Sequence, residues 1–346
     1  MQTGFWKKLK KPIFALAPMA NVTDAAFRFI IAKYSKYGGL DIGNGSKENL
    51  PARSLSGGGP DVMFTEFVAC DGLMSPGKDK LLVDFMHTDA ERPIVAQIFG
   101  SKLENFYKTA LLIQELGFDG IDINMGCPDR NVEKQGAGAY LMKNPELAQE
   151  IIRETKRGAG KLPVSIKTRI GYNKNTLNEW LPALLETEPA AIILHARTRK
   201  EMSLVPARWE VIADAVRIRD KYDNSADKTL ILGNGDVIDL ADAEEKIKVT
   251  GADGVMIGRG IFGNPWLFNR SVDYANIPLV EKLRVMVEHT YLFEKLLVEH
   301  KSFDIMKKHY KAYVNGFDGA KELRVKLMEW AKTASDVERI VVDFFA

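Results

Sequence analysis

The chain has 346 residues, 46% of them apolar and 27% charged, with a formal net charge of +2 at pH 7. That is enough apolar sequence for one large domain or two with a sizeable core. Two classes are excluded: no apolar run approaches the roughly 18 residues of a membrane-crossing helix, and two cysteines, Cys70 and Cys127, cannot build a disulfide framework. A near-neutral total leaves the class of partner open, because it can hide a basic face. Lys7, Lys8, Lys10 and Lys11 run directly into a strand pattern, so a reduced, cytoplasmic setting and no membrane are expected.

Short apolar runs then recur along the chain at 13–17, 62–67, 94–98, 120–123, 164–168, 191–194, 230–232 and 254–257. Amphipathic stretches of helical period separate them, among them 103–116, 145–157, 209–221 and 240–249. Strands alternating with helices predict a parallel sheet, and eight such units in roughly 260 residues predict a closed (β/α)8 TIM barrel. An open doubly wound sheet would call for a GxGxxG after the first strand, and none is there. Residues 38–60, with Gly57, Gly58 and Gly59, show no period and are expected to form a surface excursion. Beyond residue 269 strand signals stop, and helical stretches follow at 280–298, 302–313, 320–331 and 335–345. The expected organisation is a barrel over 1–269 and a small all-helical C-terminal domain over 270–346.

Barrel enzymes place their chemistry at the C-terminal ends of the strands. There the runs end in Pro18, Met19 and Ala20; in Gln97; in Asn124 and Cys127; in Lys167 and Arg169; in His195 and Arg197; in Asn234, Gly235 and Asp236; and in Gly258, Arg259 and Gly260. Glycine-rich loops after strands seven and eight suit phosphate, since backbone N–H groups can approach its oxygens and Arg259 adds a charge-assisted contact. Gln97, Lys167 and His195 would form a polar ring suited to a planar, hydrogen-bonding cofactor. Gly126 and Pro128 fix the backbone around Cys127 and present its thiol at a strand end. Taken singly these residues leave packing open as well, because lone cysteines are usually inert and a strand-end lysine commonly snorkels to water. A metal is not expected: the five histidines are scattered, with no CxxC or HExxH.

Six segments in order resemble the signatures of the tRNA-dihydrouridine synthases: Ala17 to Asp24 with Phe27 and Arg28, Asn124 to Pro128, Lys167 to Gly171, His195 to Arg199, Gly233 to Val237, and Gly258 to Gly260. Met306 to Tyr310 and Leu323-Arg324 resemble that family's helical RNA-binding domain. The resemblance implies reduction of the C5–C6 bond of a uridine in tRNA, with FMN as cofactor and NADPH as electron donor. It implies Cys127 as proton donor, Asn124 and Arg169 on the uracil edge, and Lys167 facing the flavin. Gln97 and the backbone of Pro18, Met19 and Ala20 would complete the ring site, while His195 serves either flavin or substrate. Asn234, Gly235, Asp236, Gly258 and Arg259 would hold the phosphate, and a monomer is expected. Between Lys301 and Lys332 eight Lys or Arg face four Asp or Glu, interleaved with Tyr310, Tyr313, Phe317 and Trp330, a composition suited to an RNA-facing surface. Three departures from the family pattern stand out: Asn21 where glycine is common, the loop Met202 to Trp209, and the long loop Gly38 to Pro60. A small-molecule FMN oxidoreductase, which would not need the basic tail, and a flavin-free RNA-binding protein are the alternatives.

Overall fold

Runs rich in isoleucine, valine and leucine form eight strands: β1 (Ile13–Leu16), β2 (Met63–Ala69), β3 (Ile94–Phe99), β4 (Gly120–Met125), β5 (Val164–Arg169), β6 (Ala191–His195), β7 (Leu230–Asn234) and β8 (Gly254–Ile257). The structure is a computed structural model and describes residues 3–51, 58–223, 225 and 227–346. All strands are parallel in the order β1-β8-β7-β6-β5-β4-β3-β2. The ring closes where Ala15 bridges Val62, with Leu16 N donating to Val62 O at 3.0 Å and Asp61 N to Phe14 O at 2.7 Å. This is the (β/α)8 barrel that the alternating pattern predicts. Both faces of its strands are covered, as a parallel sheet requires, and β3 and β4 are buried at every residue. The Leu177–Leu185 helix between β5 and β6 has little sequence signal: it is nine residues long with Pro182 inside.

Alternation along each strand sets the barrel interior, because residues i and i+2 share a face. Ile13, Ala15, Ala17, Val95, Ile193, Leu232 and Met256 form an apolar plug, against which Trp6, 2% exposed, and Phe5 pack. One step toward the C-terminal end of the same strands stand Gln97, His195 and Asn234. The register aligns these polar positions: Gln97 lies opposite Asp122, Asn124 opposite Lys167, Arg169 opposite His195, and His195 opposite Asn234. The mouth of the barrel is therefore a continuous polar layer over a dry floor.

Contacts divide the chain into two units, the barrel (Met1–Met19, Asp61–Phe85, Arg92–Arg259) and a helical unit (Ala20–Pro60, Met86–Glu91, Gly260–Ala346). In the helical unit Asp24 caps the Ala25–Ile31 helix by accepting from Phe27 N at 2.9 Å. The Leu279–Leu297 helix buries Leu283, Met286, Thr290, Phe293 and Leu297, a stripe at spacings of three and four. The Ala334–Phe345 helix begins with a Thr333–Asp336 capping box. Asn21 has φ 54°, in the left-handed region where asparagine is the usual substitute for glycine. Of the excursion at 38–60, residues 52–57 lie outside the described residues. Its flanks are anchored: Ile42 is 1% exposed, Gly59 N donates to Phe268 O at 2.9 Å, and a Cβ on Gly58 would stand 2.4 Å from that oxygen. Tyr310 and Tyr313 correct the expected RNA-facing aromatics, since both are buried in the helical core, whereas Trp330 is 60% exposed.

Arg28 and Glu91 form a fully buried ion pair at 2.6 Å within the helical unit. Arg28 also donates to the carbonyls of Thr23, at 2.5 Å, and Met86, while Glu91 accepts from Thr88 N at 2.8 Å. Breaking a buried pair from one side costs about 3–5 kcal/mol, because the remaining charge stays in low dielectric. Arg28→Met alone should therefore lower the urea midpoint sharply, and adding Glu91→Gln should restore part of it. Equal losses in the single and double variants would show that packing, rather than the stranded charge, sets the cost.

Candidate active site

The turn after β4 is built on Asn124. Its Oδ1 accepts from Gly126 N at 3.1 Å and Cys127 N at 2.9 Å, and its Nδ2 donates to Gln97 Oε1 at 3.2 Å. Gln97 Nε2 in turn donates to Asp122 Oδ2 at 2.7 Å, and Ser165 Oγ donates to Asp122 Oδ1 at 2.6 Å. An ionised carboxylate only accepts, so Asp122 dictates which end of the Gln97 amide faces it, and Gln97 then orients Asn124. Burial pushes the Asp122 carboxyl up to about 6, opposed by its hydrogen bonds from Ser165 and Gln97. This buried relay fixes the backbone that carries Cys127. On the other side, Ala139 N donates to Cys127 O at 3.0 Å. Gly138 permits that approach, with φ 61° and a hypothetical Cβ only 2.9 Å from Cys127 O.

Two clefts open side by side at the strand ends. One contains about 510 Å³ of empty space and is lined by Gln97, Asn124, Cys127, Arg169 and their neighbours. The other contains about 620 Å³ and is lined by Pro18, Met19, Asn234, Gly235, Asp236, Gly258 and Arg259 among others. Pro18, Lys167 and His195 belong to both. Of the strand-end residues singled out in the sequence, Ala20 and Gly260 line neither cleft; both belong to the helical unit, and Ala20 is exposed.

Electrostatics differ across this layer. Burial raises the Cys127 thiol above its ordinary value, so it is protonated at neutral pH. Cys70, the first residue of the short helix after β2, is fully buried, and burial raises its thiol too. Lys167 donates from Nζ to Asn234 Oδ1 at 3.0 Å, and burial, reinforced by Arg169, pulls its ammonium down to about 8. Arg169 spans two loops: Nε donates to Gly126 O at 2.8 Å and Nη1 to Thr198 O at 3.1 Å and Met202 O at 3.0 Å. Burial draws it down to about 10. His195 is held far below its ordinary value by burial and by the cations around it, so the ring is neutral. An arginine N–H can only donate, and Arg197 Nη1 lies 3.1 Å from His195 Nε2. The proton therefore sits on Nδ1.

Asp122 carries no sequence signal for the site, and Arg197 shows there only as a strand-end cation without a partner residue in view. Arg197, 2% exposed, pairs with Asp236, which also accepts from Arg259 at 2.9 Å and from Ala207 N at 2.9 Å. Asp236 thus organises two guanidinium groups, and Arg197 and Arg259 neutralise its charge beside the second cleft. Gly235, at φ 122°, has no room for a Cβ, which would lie 2.9 Å from that of Ala207. The arrangement can present a proton from a thiol in one cleft while holding an anionic, planar group in the other. Among the described residues no group of three or more His, Cys, Asp or Glu is placed to hold a metal ion. Nor, among them, is any helix long and apolar enough to cross a membrane.

Comparison with known proteins agrees with the geometry. The dihydrouridine synthase (Dus) family model matches residues 15–346. "Probable tRNA-dihydrouridine synthase 2" of Bacillus subtilis (strain 168) is 38% identical over 347 residues, covering 99% of this chain and 97% of that protein. "Probable tRNA-dihydrouridine synthase" of Staphylococcus aureus (strain COL) is 38% identical over 349 residues, covering 100% and 96%. Among solved structures, histamine dehydrogenase from Rhizobium sp. 4-9 shares the fold at 12% identity and a TM-score of 0.50, over 81% of this chain and 48% of that one. A family model that spans the barrel and the helical unit together, with relatives alike over their full length, establishes that the chain belongs to the dihydrouridine synthase family.

Proposed function

We propose that the protein reduces the C5–C6 double bond of uridine in tRNA to dihydrouridine, with FMN as cofactor and NADPH as reductant. The observation that carries this reading is the pair of adjoining clefts sharing Lys167 and His195, one with the Cys127 thiol and one with the strand-end loops of β7 and β8. The donor set fits a flavin phosphate and ring: a bare backbone at Gly235, Arg259, the Lys167 ammonium and a neutral imidazole. Bound there, reduced FMN would supply a hydride to C6 of the uracil.

The chain's own residues would do the rest. Cys127 holds the proton destined for C5 on its Sγ, and burial keeps it there at neutral pH. Asn124 and Arg169 would meet the uracil edge, while their hydrogen bonds to the Gly126–Cys127 backbone keep the thiol at that edge. Lys167 would stabilise negative charge on the cofactor, and Pro18, Met19, Gln97 and His195 would bound its ring. Asn234, Gly235, Asp236, Gly258 and Arg259 would hold the phosphate end. The uridine must leave its stack to reach the cleft. Residues 270–346 would contribute to offsetting that cost through phosphate contacts, and the protein would act as a cytoplasmic monomer.

The test is direct. Purified protein should be yellow, with a flavin spectrum, and should convert uridine to dihydrouridine in unmodified tRNA transcripts only when NADPH is supplied. A colourless preparation that FMN cannot reconstitute would sink the reading.

A further inference from the structure

The loop after β6 ends in a rigid apolar tip. Leu204 is 84% exposed, the highest of the large apolar side chains among the described residues, and it is flanked by Met202 at 41% and Val205 at 38%. An isolated exposed leucine means little. This one is distinguished by what holds it. Arg169 grips the Met202 carbonyl at 3.0 Å with the same guanidinium that grips Gly126 O, beside Cys127. Arg197 grips the Val205 carbonyl at 2.6 Å with the same guanidinium that meets His195 Nε2 and Asp236. Within the loop, Leu204 N donates to Glu201 O at 2.9 Å, and Glu201 is fixed by Thr198 N at 2.7 Å and Arg208 at 2.8 Å. The tip is thus strung between two buried arginines, each of which also braces one of the two clefts.

We propose that Leu204, with Met202 beside it, is a wedge that enters the RNA stack at the place left by the extruded uridine. The proposal rests on the uridine-reducing function above and adds a positioning residue to it. A base drawn into the Cys127 cleft leaves a gap between its neighbours, and an apolar side chain that fills such a gap offsets part of the unstacking. The surroundings are weakly positive: Arg199 pairs with Glu133 and Arg208 with Glu201, and Lys200 adds one further cation to the loop. Next to the loop, Lys143 lies 4.0 Å and Arg199 5.2 Å from the Tyr172 ring centroid, an array of cations and an aromatic at the same rim. Rigidity matters here, because a preorganised tip orders nothing further on binding.

The experiment compares full-length wild type, Leu204→Ser and Leu204→Met on a mixture of unmodified tRNA transcripts, with single-turnover dihydrouridine formation at saturating RNA as the readout. Leu204→Ser should slow the reaction on the order of tenfold, since most of the apolar surface that the wedge would bury in the RNA is lost. Leu204→Met, which keeps an apolar wedge of similar volume, should recover most of the rate. Melting temperature should be unchanged in both, as befits a solvent-exposed position. A serine variant as fast as wild type, or a methionine variant as slow as the serine one, overturns the wedge. So does a change in particle mass on Leu204→Ser by light scattering, which would make the tip a contact between copies. A wild-type preparation that forms no dihydrouridine overturns the function itself, and is told apart by that result alone.

Discussion

Replacing Cys127 by alanine should lower dihydrouridine formation by about 10²–10⁴-fold, the usual range for removal of a general acid, and leave bound flavin unchanged. The structure separates chemistry from folding at this position. The hydrogen bonds that hold the turn run through the Cys127 backbone, N to Asn124 Oδ1 and O from Ala139 N, and alanine gives up only the contact of the Asp129 backbone with the thiol. The thiol itself contributes a proton to the cleft and a partly buried contact beside Phe99, Val132 and Ala137. Cys127→Ser should recover little, because a hydroxyl is a far weaker acid than a thiol. Cys70→Ala supplies the control: Cys70 lines neither cleft and should keep the wild-type rate per flavin. The pH profile carries a further sign. As pH rises, Lys167 loses its charge near 8, before the raised thiol ionises, so the rate should begin to fall there. A Cys127→Ala rate within tenfold of wild type, with flavin retained, would remove the thiol from the mechanism.

The barrel was legible because its information is local. Each strand is a short apolar run and each strand end carries residues that have no reason to be buried, so Asn124, Lys167, His195 and Asn234 mark the mouth from sequence. The structure then shows why these positions meet: the parallel register sets Asn124 beside Lys167, and His195 beside both Arg169 and Asn234. What stayed hidden is non-local. Asp122 reads as one polar letter in a strand, and its bonds to Gln97 and Ser165 reach 25 and 43 residues away. Arg197 looks like any strand-end cation until Asp236, 39 residues on, is seen to bind it. That residues 20–60 and 86–91 share a unit with 260–346 likewise leaves no trace in periodicity. Composition misled at Tyr310 and Tyr313 for a related reason: aromatics between lysines on an amphipathic helix point inward as readily as outward, and here they are core.

Acidification should destabilise the protein through a pair of histidines that the mechanism does not use. His289 and His309 are 0% and 1% exposed in the helical unit, with ring centroids 4.7 Å apart and Phe27 against both. Neither ring nitrogen of His289, nor Nε2 of His309, has a hydrogen-bond partner among the described residues, so a proton added at those nitrogens would be buried without an acceptor. Burial holds His309 down at about 3 and His289 well below its ordinary value. A histidine whose folded pKa is depressed binds its proton in the unfolded chain first, so its contribution is complete above about 6.5 and shrinks as pH falls below that. Each such group costs about 1.4 kcal/mol per pH unit. His195 acts in the same direction, while Asp122, pushed up to about 6, takes up one proton in the folded state and opposes them. The balance of roughly two protons predicts a loss of about 4 kcal/mol between pH 7.5 and pH 5, a large share of the stability of an ordinary domain. Urea unfolding at the two pH values measures it directly. Replacing both residues by phenylalanine keeps the ring packing around Phe27 and removes the titration, so the double variant should lose most of this pH dependence. If its urea midpoint still falls with acid as steeply as wild type, the proton uptake lies elsewhere and the buried pair is only packing.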